Sequence, residues 1–76
     1  MPRYFFHVQD SVTILDHEGT ELPDLAADKD EAIATSGQML KDGGVTSLWN
    51  GTVWKMWVTD EAQNTLFTVN FSAKVE

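Results

Sequence analysis

The chain has 76 residues, no cysteine and a formal net charge of -7, which arises from 12 acidic and 5 basic side chains. This length predicts a single domain over residues 1–76. The lack of cysteine excludes disulfides and thiolate metal sites, and the 42 % of hydrophobic residues excludes a disordered chain. The acidity disfavours binding to nucleic acid and to anionic membranes, because both need clustered Lys and Arg.

The first part of the chain alternates between two faces, as strands do. Residues 3–9 show the alternation most clearly and predict a first strand. A tight turn and a second strand at residues 12–15 follow. Gly19 is expected to take a positive φ in the next turn, and residues 20–22 are expected to extend the strand beyond it.

A helix is predicted in the middle of the chain. Two starts compete: Asp24 follows a proline and caps an early first turn, whereas Asp28 has Glu31 three residues later, the spacing of a capping box. Gly37 inside the helix either costs on the order of 1 kcal/mol or allows close approach to the sheet. The helix is expected to stop at residues 42–44, Asp-Gly-Gly. The acidic residues near its start are interpreted as solvated: Asp24, Asp28, Asp30 and Glu31.

Two more strands are predicted at residues 52–59 and 66–71, joined by a polar hairpin loop at residues 60–64. The fold class is therefore α+β: a two-layer domain in which an antiparallel sheet of about four strands, in the order β-β-α-β-β, carries one helix on one face. Strand alternation and helical spacing assign the core to these residues: Tyr4, Phe6, Val8, Ile14, Ala32, Ile33, Leu40, Trp54, Met56, Val58, Phe67, Val69 and Phe71.

The same alternation places large side chains on the sheet face that a single helix cannot cover: Phe5, His7, Leu15, Trp57 and Leu66. A contiguous apolar patch usually marks an interface, and a small domain gains stability by oligomerising. We therefore expect a homodimer, formed through this open face or through a strand edge. The alternative is that Phe5 and Trp57 are separate surface aromatics, or that the loop around Trp49 folds over them.

No catalytic, cofactor-binding or metal-binding residue is assigned from the sequence, and no cofactor is expected. His7 would need a nucleophile or carboxylate nearby in space to act in catalysis, so a surface or interface histidine is the favoured interpretation. The consecutive residues Asp16, His17 and Glu18 point to alternate sides of an extended segment and are interpreted as a solvated turn rather than a metal site.

The sequence contains neither a predicted membrane-spanning segment nor a predicted secretory signal. Its apolar runs are shorter than the roughly 18 residues of a membrane span, and its first residues lack the features of a secretory signal. A cytoplasmic protein is therefore expected. The aromatic residues of the open face lack the surrounding basic residues of an RNA-binding platform.

Two strings resemble an uncharacterised family of short proteins from rhizobia and related alpha-proteobacteria, a domain of unknown function. They are residues 1–8, M-P-R-Y-F-F-H-V, and residues 16–25, D-H-E-G-T-E-L-P-D-L. Weaker matches are Glu31-Ala32, residues 58–61 and Phe71-Ser72. The chain departs from the family in a less alanine-rich helix and in Gln63-Asn64, where a glycine is usual. The resemblance implies a bacterial, cytoplasmic protein and supplies no catalytic residues.

A small non-enzymatic interaction or regulatory module that self-associates is the expected function. Two alternatives stay open. The first is an antitoxin-like acidic protein that masks a basic protein partner, for which the Leu-Pro-Asp stretch before the helix gives a distant, fold-level similarity to antitoxin domains of the HicB kind. The second is a small-ligand binder or enzyme that uses His7 and the open-face aromatics, which predicts a concave pocket around His7.

Overall fold

The computed structural model describes residues 1–10, 12–42, 49, 51 and 53–74. Within these ranges the elements are β1 (Arg3–Gln9), β2 (Thr13–Ile14), β3 (Thr20–Glu21), α1 (Leu25–Lys41), β4 (Trp54–Thr59) and β5 (Thr65–Phe71). The predicted α+β class, with one helix and an antiparallel sheet, is confirmed. The predicted stop at Gly43-Gly44 and most of the loop around Trp49 lie outside the described residues.

Strand β1 organises the sheet. It pairs with β4 on one side, where Phe5 lies opposite Thr59 and Gln9 lies opposite Lys55. Its other side is shared by β2 and β3, which pair with opposite ends of β1. Strand β5 pairs with β4 and ends the order β2-β1-β4-β5. The described sheet thus has five strands rather than about four, because the second predicted strand and its extension are two separate short strands.

Helix α1 begins after Asp24. The Asp24 side chain accepts a hydrogen bond from the Ala27 N–H at 2.9 Å, which satisfies one of the free donors of the first turn. This start places Asp28 inside the helix, one turn before Ala32, and its side chain is fully buried. The alternative start at Asp28, and the interpretation of Asp28 as a solvated residue, are therefore wrong.

The core lies between α1 and one face of the sheet, as predicted. Its buried members are Tyr4, Val8, Ala32, Trp54, Met56 and Val58, and the partly buried residues around them are Phe6, Leu22, Leu40, Phe67, Val69 and Phe71. Small helix residues allow close packing, and the Ser36 Oγ lies 3.5 Å from the Met56 Sδ. The described part of the chain has no helix long and apolar enough to cross a membrane.

Two residues assigned to the core are exposed instead. Ile33 is 59 % exposed, because the buried stripe of α1 runs through Asp28, Ala32 and Ser36 at intervals of four and Ile33 lies about 100° further round the helix. Ile14 is 63 % exposed. Ile14 lies in β2, at the edge of the sheet, and β1 separates β2 from β4. Helix α1 packs against β4.

Candidate binding site on the open face

A cavity of about 440 Å³ lies on the sheet face that α1 does not cover. Its floor is formed by Phe5, His7 and Trp57 of β1 and β4. One wall is the segment from Leu15 to His17, and the other is the end of β4 with the β4–β5 hairpin; the wall residues there are Thr59, Asp60, Glu61, Gln63 and Thr65. This volume falls in the usual range for small-molecule sites. The structure therefore brings together four of the five predicted open-face residues.

Leu66 is the fifth, and the structure does not bring it to this cavity. The pairing of β4 with β5 shifts between Val58 and Thr59, so that Phe67 opposes Val58 while Thr65 opposes Thr59. Leu66 is the extra residue of this bulge. It lines a separate surface depression together with Tyr4 and Leu25. Strict alternation along the strand cannot reveal such a shift.

His7 is held at both ring nitrogens. Its Nδ1 accepts a hydrogen bond from the backbone N–H of Asp16 at 3.1 Å, and its Nε2 lies 3.0 Å from the Thr59 Oγ1. Because Nδ1 is the acceptor, the neutral ring carries its proton on Nε2 and donates it to Thr59. The ring also lies beside Trp57, its cross-strand neighbour, with 5.2 Å between ring centroids. These contacts fix the orientation of the imidazole.

Asp16 holds the segment between β2 and β3 against β1. Its Oδ2 accepts a hydrogen bond from the Phe6 N–H, and its Oδ1 accepts from the N–H groups of Glu18 and Gly19, each at 3.1 Å. Burial alone would raise the pKa of Asp16, but these three hydrogen bonds and the nearby His7 outweigh it and lower the pKa. The carboxylate is therefore ionised and fully engaged.

The solvated-turn interpretation of residues 16–18 holds only in part. His17 and Glu18 are exposed, whereas Asp16 is half-buried. The sequence analysis missed several site residues, among them Asp16 and Thr59, which contact His7, and Asp60 and Glu61 of the hairpin. An Asp three residues before a Gly is typical of a turn closed by the Asp side chain, and this signal was present for Asp16. No local pattern marks Thr59, since its role depends on its pairing opposite β1.

Gly19 has the predicted positive φ, at 73°. A Cβ at this position would lie 2.8 Å from the Arg3 Cγ, 2.9 Å from the Phe5 Cε2 and 3.0 Å from the Tyr4 carbonyl oxygen. The turn that Asp16 closes therefore fits against β1 only with glycine at its last position.

Acidic side chains surround the cavity. Asp16, Asp60 and Glu61 line it, and its described lining contains no Lys or Arg. Hydrogen bonds from the backbone and side chain of Asn64 lower the pKa of Asp60, which keeps it ionised. Nearby, the Lys55 Nζ lies 5.4 Å from the centroid of the Trp57 ring, at the distance of a cation–π contact. The walls of the site therefore carry negative charge, while the Lys55 ammonium lies over the Trp57 ring of its floor.

No group of three or more His, Cys, Asp or Glu residues in the described ranges is placed to hold a metal ion. Trp49 is 66 % exposed and is not among the described residues that line the cavity. Most of the loop that the alternative places over Phe5 and Trp57 lies outside the described residues, and that alternative stays a prediction.

Comparison with protein families identifies the group to which the chain is related. The model of a domain of unknown function, DUF6894, matches residues 3–72. No curated protein and no solved structure matches the chain. The match confirms the predicted resemblance to an uncharacterised family, while the rhizobial origin stays a prediction. The chain belongs to the DUF6894 family of domains of unknown function.

Proposed function

We propose that this chain is a small non-enzymatic interaction module that acts as a homodimer. The observation that carries the proposal is the small extent of the core. The described residues include six buried hydrophobic residues, whereas ten large hydrophobic side chains are exposed. A domain of this size with a small core gains stability when a second copy covers part of its surface.

The state of His7 supports a binding role over acid–base catalysis. A general base needs a nitrogen that is free to take a proton from a substrate. Both nitrogens of His7 are engaged, one by the Asp16 N–H and the other by the Thr59 hydroxyl. The Asp16 carboxylate is also occupied by three backbone N–H groups. These groups therefore shape the floor and wall of the cavity.

Sedimentation or light scattering over a range from about 1 μM to about 500 μM tests the dimer. The expected result is a mass that rises with concentration from 8.5 kDa towards twice that value. A constant mass of 8.5 kDa over the whole range would show that the chain does not self-associate.

A second candidate function is the binding of a small organic cation in the open-face cavity. Concave shape around His7, aromatic side chains on the floor and three acidic residues on the walls favour it. This chemistry also suits a basic side chain of a protein partner, as in the antitoxin-like alternative. The partner, the cytoplasmic location and the bacterial origin stay predictions.

Titration with agmatine, followed by NMR signals of the Trp57 indole, tests this second candidate. Glu61→Gln removes one charge from the wall and keeps an oxygen that accepts from the Arg3 N–H. The matched control is Glu31→Gln, on the exposed surface of α1. We expect Glu61→Gln to weaken binding several-fold and Glu31→Gln to leave it unchanged. Equal affinities of the two variants, or no shift of Trp57 signals, would exclude the cavity as a cation site.

A further inference from the structure

We infer that a second copy of this chain docks along the outer edge of β5, antiparallel to the same strand and centred on Val69. This inference rests on the proposed self-association and names its surface. The result would be a continuous sheet through both copies, with both helices on the same face.

The two edges of the sheet differ. One edge is divided between β2 and β3, each only two residues long. The other is β5, seven residues long, and no strand in the described ranges pairs with its outer side. Proteins protect sheet edges with short strands, with proline and with charged residues, because a long unprotected edge pairs with other chains. Strand β5 contains neither proline nor a charged residue.

Charge favours this edge over the open face. The chain carries a net charge of -7, yet residues 62–73 contain no charged side chain. Two copies therefore repel each other over most of their surfaces and meet without repulsion along β5. Contact through the open faces would instead bring the carboxylates of Asp16, Asp60 and Glu61 from both copies into one interface.

Symmetry limits the possible registers. In an antiparallel pair of identical strands, the twofold axis is perpendicular to the sheet, and opposed residues point to the same side. A register centred on Val69 places Phe67 opposite the partner's Phe71, and Thr68 opposite the partner's Asn70. The first is an aromatic pair and the second a hydrogen-bonding pair, which are both favourable cross-strand combinations. A register centred on Thr68 would place Leu66 opposite an asparagine.

The half-buried residues of β5 agree with this register. Phe67, Val69 and Phe71 lie on the side of the sheet that carries α1, and each is partly buried against the core. Pairing with a second copy would cover their remaining exposed surface with the same three side chains of the partner. The proposed dimer therefore accounts for the partial exposure of these three side chains.

Single cysteines test the register directly, because the chain has no cysteine of its own. Val69→Cys places two thiols on the twofold axis, within the distance that a disulfide spans. We expect it to give a covalent dimer under mild oxidation. Two controls are expected to remain monomeric on a non-reducing gel. In Thr68→Cys the two thiols would lie on the opposite side of the sheet and would not face each other, because each lies opposite the partner's Asn70. In Thr13→Cys the thiol lies in β2, at the other edge of the sheet.

A second set of variants tests the edge without a covalent bond. Thr68→Lys places a charge at the centre of β5, and Thr13→Lys places the same charge on the exposed β2 edge. We expect Thr68→Lys to raise the dimer Kd at least about tenfold and Thr13→Lys to leave it unchanged. Adding Asn70→Glu to Thr68→Lys places opposite charges across from each other and is expected to restore the dimer.

The outcomes separate this inference from the proposed function. A monomeric wild-type chain would overturn both. A wild-type dimer that Thr68→Lys does not weaken, together with Val69→Cys that does not cross-link, would overturn the β5 edge and leave the homodimer standing. Cross-linking of Thr68→Cys in place of Val69→Cys would overturn the register centred on Val69.

Discussion

At the scale of single residues, Gly19 is the position where the structure most clearly requires glycine. Its φ of 73° is a left-handed conformation, and an added Cβ would lie 3.0 Å from the Tyr4 carbonyl oxygen and 2.8 Å from the Arg3 Cγ. We expect Gly19→Ala to lower the free energy of unfolding by about 2–3 kcal/mol. Urea denaturation followed by tryptophan fluorescence measures the change.

Gly37 supplies the matched control. It lies in α1, and apart from its neighbours in the chain and the nearby helix backbone, no atom of the described residues lies within 4 Å of the Cβ that alanine would add. Close approach of the helix to the sheet therefore does not explain this glycine. Gly37→Ala is expected to raise the free energy of unfolding by about 0.5–1 kcal/mol, because alanine favours helix. The interpretation of Gly19 fails if its alanine variant is as stable as the wild-type chain.

At the scale of elements, strands were more predictable than the helix boundary. Alternation over residues 3–9 gives β1 with the correct buried face, since a period of two is fixed by strand geometry. Two acidic residues four positions apart, Asp24 and Asp28, are competing caps for α1, and local spacing does not distinguish them. The fold selects Asp24, which places small residues against the sheet and leaves Ile33 in solvent.

In the candidate site, the floor and the wall residue Leu15 were predicted, and the other wall residues were not. Phe5, His7 and Trp57 follow from alternation along β1 and β4. The other wall residues depend on which loops fold over that face, and loop positions arise from tertiary contacts such as the Asp16 N–H to His7 Nδ1 hydrogen bond. Likewise, the bulge that moves Leu66 arises from the pairing of β4 with β5.

At the scale of the whole molecule, carboxylates with opposite environments set how stability depends on pH. Burial raises the pKa of Asp28 from its usual 3.8 to about 6, and neither of its oxygens has a hydrogen-bond partner among the described residues. Between these values the folded state keeps a proton that the unfolded state releases. The contribution of Asp28 is therefore fully present below about pH 4 and is lost as the pH rises through 6.

Asp60 and Asp16 act in the opposite direction. Hydrogen bonds from Asn64 lower the pKa of Asp60, and those from Gly19, Phe6 and Glu18 overcome burial to lower the pKa of Asp16. The stability that they contribute is present above their usual value of 3.8 and is lost as the pH falls through their lower folded-state values. Stability is thus expected to be greatest near about pH 4–5.

Asp28→Asn tests this account of the pH profile. The variant removes the ionisable group, so its stability is expected to stay level from about pH 4 to 7, where that of the wild-type chain falls. At pH 7 we expect it to exceed the wild type by about 1–3 kcal/mol in urea denaturation. Asp30→Asn, at an exposed position of the same helix, should keep the wild-type profile. A parallel decline in the Asp28 variant would contradict the assignment.

The hydrogen bonds of His7 also give the molecule a spectroscopic reporter of its own. One imidazole connects β1 to the segment before β3, through Asp16, and to the distant end of β4, through Thr59. There is only one other histidine, His17, and it is exposed. Nitrogen signals of the two rings should therefore separate cleanly, with a single tautomer for His7 and an averaged one for His17. If either wall of the cavity moved away from His7, the hydrogen bond to that wall would break and the nitrogen signals of the His7 ring would change.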